Sequence, residues 1–424
     1  MSAAVQERAS GLTGTRLAGL LLMCGLAITF DGYDLVVLGA TAGTLMEDFG
    51  IGPQQIGAIG SATLVGMMLG AIFIGSLADR FGRRVVLISS VIWFSLWMVV
   101  AALAPNPGVF GFARFMCGLG LGGCMPTATA LVVEYAPKNR GNFYYVIMQS
   151  GFAVGGILAA SLGIALLADG NWRIMYAIGA APLLLVVLPA LKFLPESLDF
   201  LVNRGRREEA ARLAERLQVD LPEPKSGSPK VPLAQLFSGG YARSTIMFWL
   251  ATFSALLMVY GLNTWLPEIM RDQGYSLGSS LTFLLVFNIG SIVGSLLGGQ
   301  IADRVGSKPV IAVSFALAAV SAVGLSLRPD SLLLYALIAI GGYGAIGTQN
   351  LINPFVASYY PAQVRATGSG WALGVGRLGA VVGPMLGGLV MASSLGGEWN
   401  FYMFAVVAAI GTLAVLLVTN RPSL

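Results

Sequence analysis

Apolar residues in this chain come in runs too long for the core of a soluble domain. Stretches of about 20 apolar residues, the length a helix needs to cross a bilayer, occur near 17–40, 54–77, 84–104, 108–133, 142–168 and 173–194. They occur again near 243–266, 279–301, 309–327, 331–356, 367–392 and 399–419. The pattern predicts an all-α polytopic membrane protein of twelve spans, arranged as six, a polar stretch, and six. Within the polar stretch, Asn203-Arg204-Gly205-Arg206-Arg207-Glu208-Glu209-Ala210-Ala211-Arg212 predicts a surface helix with Glu208 four residues before Arg212. Pro222, Pro224, Pro229 and Pro232 then predict a flexible tether. A few ionisable residues break the pattern from inside the runs, above all in Phe30-Asp31-Gly32-Tyr33-Asp34.

Two connections repeat. Gly75-Ser76-Leu77-Ala78-Asp79-Arg80-Phe81-Gly82-Arg83-Arg84 closes the second run, and Gly299-Gln300-Ile301-Ala302-Asp303-Arg304-Val305-Gly306-Ser307-Lys308 closes the eighth, 224 residues later. Pro137 and Pro361 repeat at the same spacing. Independent loops sharing one offset indicate a tandem duplication, the arrangement expected for alternating access between two bundles. The expected organisation is a six-helix bundle over 1–195, a cytoplasmic central loop over 196–241 and a second, pseudo-symmetric six-helix bundle over 242–424.

Composition and charge sharpen this picture. Of 424 residues, 56% are hydrophobic and 11% charged, where a soluble domain carries about 25% charged; the mean hydropathy is +0.78. The 56 glycines suit close helix packing in lipid. The net charge of +5 does not indicate nucleic acid, because the basic residues cluster in short connections. With the N-terminus cytoplasmic, Arg8, Arg16, Arg80, Arg83, Arg84, Lys138 and Arg140 fall inside, as do the central loop, Arg304, Lys308, Arg365 and Arg421. The outer connections keep only Arg173, Arg271 and Arg328, which predicts both termini in the cytoplasm. Met1–Arg16 is short and polar and leads into a run too long for a signal-peptide core, so no cleaved signal is expected. There is no histidine, and Cys24, Cys117 and Cys124 lie in apolar runs. That excludes a Cys/His metal site and argues against a disulfide. With no G-x-x-x-x-G-K-[ST] loop and no histidine-based nucleophile, neither nucleotide-driven transport, nor enzyme activity, nor a cofactor is expected.

Asp31 and Asp34 stand on one face of a helix. At that depth each costs at least roughly 2.5–3.5 kcal/mol on insertion scales, so each is a functional candidate. Asp34 lies about six residues before the outer end of the first run and Arg114 about six inside that of the fourth, a similar depth at about 1.5 Å per residue. Opposite charges there relieve each other's desolvation, which predicts an Asp34–Arg114 pair, either a strut or a working part. Asp31 is a turn deeper, with no obvious partner. A proton carrier must load and release near neutral pH, and burial disfavours the charged form of a carboxyl. Without histidine, the usual switch in that range, a membrane-embedded carboxylate has to serve, with Asp31 the first candidate and Asp34 the second.

Arg377, midway along the eleventh run, offers a planar fork suited to a substrate carboxylate, or to backbone carbonyls of a neighbouring helix. Hydrogen-bonding groups at comparable depth are Asn263, Asn288, Gln349, Asn350 and Asn353; aromatic faces are Tyr33, Tyr144, Tyr260, Trp265 and Trp371. Of these, Tyr33, Tyr144, Asn263, Trp265, Asn350 and Asn353 join Arg377 in the expected substrate set, although aromatic side chains in spans also serve packing and anchoring. Asp79, Arg80, Arg83, Glu134 and Arg140, with Asp303, Arg304 and Arg365 in the second half, form a cytoplasmic set. Asp79 sits where span three begins and can favour that helix N-terminus. The set reads as a gate latch that breaks on inward opening, or as resting structural contacts.

Gly75 to Arg84 resembles the loop-2/3 signature G-x-x-x-D-R-x-G-R-R of the major facilitator superfamily, with a weaker second copy in which Ser307 stands in the place of Arg83. Arg114-Phe115-Met116-Cys117-Gly118-Leu119-Gly120-Leu121-Gly122 resembles that superfamily's span-four pattern R-x-x-x-G-x-G-x-G. Pro195-Glu196-Ser197 followed by Asn203-Arg204-Gly205-Arg206 resembles the start of its central loop. Asp31-Gly32-Tyr33-Asp34 and Tyr260-Gly261-Leu262-Asn263-Thr264-Trp265-Leu266-Pro267 are similar to motifs of its aromatic acid:proton symporters, among them bacterial carriers of benzoate and hydroxybenzoates. The resemblance implies proton-coupled uptake of an aromatic carboxylate by a monomer in the bacterial cytoplasmic membrane, with substrate, protons and lipid as its partners. A proton symporter for another organic acid, a proton-driven exporter and a transport-dead receptor for aromatic acids are the alternatives.

Overall fold

The computed structural model describes residues 11–137, 140–223, 233–238 and 240–419. Arg8, Lys138 and Arg421 of the charge pattern, and Pro224, Pro229 and Pro232 of the tether, lie outside the described residues. Among the described residues twelve helices are long and apolar enough to cross a membrane. Spans one to six are Gly14–Phe49, Pro53–Phe81, Arg83–Ala102, Pro107–Tyr135, Phe143–Leu166 and Trp172–Phe193. Spans seven to twelve are Ala242–Asp272, Leu277–Val305, Ser307–Ser326, Ser331–Tyr359, Gln363–Met391 and Trp399–Leu417. Hydrocarbon supplies no hydrogen bonds, so these backbones must satisfy themselves as helices. Span one outruns its apolar stretch and continues through Glu47 and Asp48 until Gly50, at φ 62°, ends it. Apolar length marks what lipid covers; the helix itself runs on to a stop residue.

The repeated connections turn on glycine. Gly82 and Gly306, again 224 residues apart, take φ of 101° and 92°, a region open to glycine and rarely to other residues. A single residue thus links span two to three and span eight to nine.

Glycine also sets how closely helices approach. Gly118 and Gly122 of span four face span two, where a Cβ would stand 2.0 Å from the Thr63 carbonyl oxygen and 2.2 Å from that of Met67. Gly66 and Gly70 of span two answer against the carbonyls of Phe115 and Leu119, at 2.2 and 2.0 Å. Gly120 turns the other way, toward Phe94 of span three. Lipid gives no hydrophobic drive between helices, so such close packing holds them together. The contact carries Arg114, one turn before Gly118, to the depth of span one's carboxylates.

The six spans before the central loop pack on one another, as do the six after it. The two groups meet along a seam of span one against seven, two against eleven and five against eight. The described chain ends and the central loop share one face, here the loop face. On it lie the short helices Leu198–Asn203 and Arg207–Leu217. Glu208 and Arg212 do approach, at 3.8 Å, but are fully solvated, so their pair contributes little.

The seam is shut toward the far face. A Cβ on Gly39 would stand 2.0 Å from the Asn263 carbonyl oxygen, and one on Gly57 2.6 Å from that of Pro384. Ser61 Oγ donates to the Val381 carbonyl at 2.6 Å, and Arg271 of span seven pairs with Glu47 of span one at 3.2 Å. Toward the loop face the groups part around a cavity of about 1240 Å³.

Candidate functional site

Successive helical residues point about 100° apart, so Asp31-Gly32-Tyr33-Asp34 addresses four neighbours in turn. Gly32 presses on span five, where a Cβ would stand 1.9 Å from the Phe152 carbonyl oxygen. Tyr33 turns to span six and donates its hydroxyl to the Met175 carbonyl at 2.7 Å. Asp34 points at span four and Asp31 at the seam. A Gly32→Val change is therefore expected to cost about 1–3 kcal/mol of overpacking and to reduce the folded carrier recovered in detergent. Gly25→Ala, on the same helix where a Cβ meets nothing within 4 Å, serves as the control and leaves recovery unchanged.

The expected Asp34–Arg114 pair is present and almost wholly buried. Arg114 grips the carboxylate with both arms: Nη1 donates to Oδ1, and Nη2 donates to Oδ2 at 3.0 Å and to the Asp34 carbonyl at 3.2 Å. Cys117 Sγ adds a weak bond to Oδ1 at 3.4 Å, and the Tyr176 ring lies 5.6 Å from the guanidinium. Two parallel donors fix this geometry more firmly than a point charge would.

Asp31 is 3% exposed and, among the described residues, has no hydrogen bond or ion pair. With Asp34 and Arg114 it lines a void of about 20 Å³ completed by Tyr260 and Thr264 of span seven and Pro384 of span eleven. That is room for about one water. Both carboxylates therefore border this void inside the protein and do not face lipid. Arg377, half-buried on span eleven, lines the large cavity. It too has no hydrogen bond or ion pair among the described residues.

The rest of the expected substrate set is rearranged. Tyr33 is sealed inside the first six spans. Trp265 is fully buried, donating Nε1 to the Pro384 carbonyl at 2.7 Å; it locks span seven to span eleven. Asn263 is also fully buried, bonded to the Val259 carbonyl at 2.7 Å and facing Asn288 at 3.4 Å. Asn350 and Asn353 are exposed on span ten and engage Ser295 and Gln349, without lining the cavity. Tyr144 stacks edge-on against Phe143, while its neighbour Tyr145 lines the cavity. One residue along a helix changes the direction by a third of a turn. Trp371 does line the cavity.

The set expected at the cytoplasmic side divides as well. Arg83 pairs with Glu134 at 2.5 Å, wholly within the first six spans. Glu134 also accepts from Ser197 Oγ at 2.6 Å and the Asp199 amide at 3.0 Å, clasping the central loop. Asp79, whose charge is expected to favour the N-terminus of span three, does not bond that helix's first amides among the described residues. Glu196 does so, accepting from the Arg84 amide at 3.0 Å, and a Cβ on Gly82 would stand 2.3 Å from its Oε2. Asp79 is exposed, and among the described residues its backbone carbonyl, not its side chain, accepts from Arg204. Arg80, Arg140, Asp303, Arg304 and Arg365 are exposed, and among the described residues no ion pair crosses the seam on the loop face. A charged contact does cross the seam on the far face, at Glu47–Arg271, between residues outside the expected sets.

Comparison with known proteins gives a consistent family. The Major Facilitator Superfamily model matches residues 22–381 and 248–424. The chain is 39% identical over 417 residues to the benzoate transport protein of Acinetobacter baylyi, covering 95% of this chain and 89% of that one. It is 36% identical over 408 residues to the gentisate transporter of Corynebacterium glutamicum, covering 96% and 88%. In fold it is similar to the xylose transporter of E. coli in a partially occluded inward-open conformation, with a TM-score of 0.76 at 18% identity over 94% of this chain and 97% of that one. The chain belongs to the Major Facilitator Superfamily, as a multi-pass membrane transporter and not an enzyme, and its curated relatives there are transporters of aromatic acids.

Proposed function

We propose that the protein is a proton symporter that imports an aromatic monocarboxylate, such as benzoate or a hydroxybenzoate, across a bacterial cytoplasmic membrane, with the loop face cytoplasmic. The observation that carries this reading is a carboxylate, Asp31, on one side of the seam and a guanidinium, Arg377, on the other, neither of them paired among the described residues; Asp31 lines the small void in the seam and Arg377 the large cavity, which has room for a small acid. Asp31 takes the proton and Arg377 the anion, so loading one side of the seam is linked to loading the other. The clustering of Lys and Arg on the loop face supports its orientation. In the conformation described, that face is open, and the far face is closed by the packing at Gly39 and Gly57, with the Glu47–Arg271 contact beside it. For outward opening the contact parts and the loop face closes.

Uptake of labelled benzoate by cells making the protein, with and without a protonophore, tests this. Accumulation that collapses with the protonophore is the expected result. Efflux driven by the gradient, or binding without flux, contradicts it.

A further inference from the structure

Span eleven carries glycines on two sides, for two different reasons. Gly376, Gly379, Gly383 and Gly387 face span seven, where a Cβ would stand 2.1–2.6 Å from its nearest neighbour. Those positions must be bare for the helices to meet. Gly370 and Gly374 line the cavity, and a Cβ on either would meet nothing within 4 Å. Helix packing does not account for them, although glycine inside a helix is destabilising relative to alanine. They precede Arg377 by seven and three residues, on the same helix face, about 10.5 and 4.5 Å below it along the axis. Beside this strip stands Trp371, 45% exposed and lining the cavity. Its other face is backed by Trp249, stacked at 5.9 Å and 28°, which Phe237 supports edge-on at 5.6 Å. A cation with no ion pair among the described residues, a bare strip of backbone below it and a braced aromatic edge together describe a slot for a flat ring carrying a carboxylate.

We propose that Gly374 and Gly370 are specificity-determining residues: the ring of the carried acid lies along the bare backbone at Gly374, and Gly370 sets how long a substituent opposite the carboxylate can be. This rests on the reading that Arg377 holds the carboxylate. A planar ring meets the exposed helix backbone with no side chain between them, and Trp371 flanks it. The wall nearby is supplied by Met68, Met125 and Ala130, soft apolar surface that suits an aromatic ring better than a polar solute.

The test is counterflow of labelled benzoate in proteoliposomes, competed by unlabelled benzoate, 4-hydroxybenzoate and 4-butylbenzoate, for wild type, Gly374→Leu, Gly374→Ala, Gly370→Leu and Arg377→Ala. A Cβ at either glycine meets nothing within 4 Å and both line the cavity, so recovery of folded protein is expected to hold, which size-exclusion chromatography in detergent checks. Gly374→Leu is expected to raise the half-saturation for benzoate about tenfold or more, with Gly374→Ala between it and wild type. Gly370→Leu is expected to raise that of 4-butylbenzoate about tenfold more than that of benzoate. Arg377→Ala weakens all three acids alike. Leucine variants that leave every half-saturation at the wild-type value, while Arg377→Ala abolishes counterflow, would overturn the slot and keep the carboxylate reading. An equal shift for short and long acids in Gly370→Leu would also overturn it. Leucine variants that discriminate by length while Arg377→Ala behaves as wild type would keep the slot and remove Arg377 as the carboxylate's partner.

Discussion

An Asp31→Asn carrier is expected to exchange labelled for unlabelled benzoate across a membrane yet fail to concentrate it, so that internal and external levels become equal. Asparagine has the shape of aspartate but cannot take up and give off a proton. Exchange needs only the loaded carrier to cross and return, whereas accumulation needs the proton to leave with its substrate. The substitution is mild for the fold, because Asp31 has no hydrogen-bonded partner to abandon among the described residues, and removing a potential charge from a buried site lowers a desolvation cost. Folded protein should therefore be recovered at the wild-type level, as judged by size-exclusion chromatography in detergent. Normal accumulation by this variant would remove Asp31 from the coupling mechanism.

The second large effect is expected at the buried pair. Arg114→Met or Asp34→Leu leaves one buried charge without its partner, and such a loss costs about 3–5 kcal/mol. Either single variant should lose most of its folded protein, read as a lower thermal midpoint in detergent. Replacing both partners at once removes the stranded charge, and the Asp34→Leu/Arg114→Met double variant is expected to regain much of that stability, since an apolar pair of similar volume is often neutral. Transport then separates the two roles. A double variant that is stable but inactive shows the pair working in the cycle; a stable and active one shows a strut. Single variants as stable as wild type would mean that the pair is not held as described.

Much of this was legible in the sequence because lipid imposes simple rules. Apolar length located all twelve spans, and the 224-residue offset carried over to the positive-φ glycines Gly82 and Gly306. Counting residues from the outer helix ends brought Asp34 and Arg114 to one depth, and they do meet. Depth is a one-dimensional coordinate, and rotation about the helix axis is not encoded in it. Tyr33 and Tyr144 were at useful depths but face the wrong way, the first toward span six and the second a third of a turn from Tyr145. Trp265 and Asn263 have the chemistry of a binding wall, yet the close backbone contact at Gly39 seals that level of the seam. Charge sets were legible as clusters but not as pairs: Glu196, visible in the sequence only as part of a motif, takes the place at the span-three N-terminus expected of Asp79 because Gly82 leaves it room. The far-face Glu47–Arg271 contact joins spans whose adjacency no local pattern announces.

Coupling at Asp31 is tested most directly by the protons exchanged when substrate binds. Calorimetric titration of benzoate into purified carrier, repeated in buffers of different ionisation enthalpy at one pH, reports that proton count without any membrane for free benzoic acid to cross. Net proton uptake on binding by the wild type, and none by Asp31→Asn, is the expected result. The same proton count in both proteins would contradict the assignment of Asp31 as the coupling group.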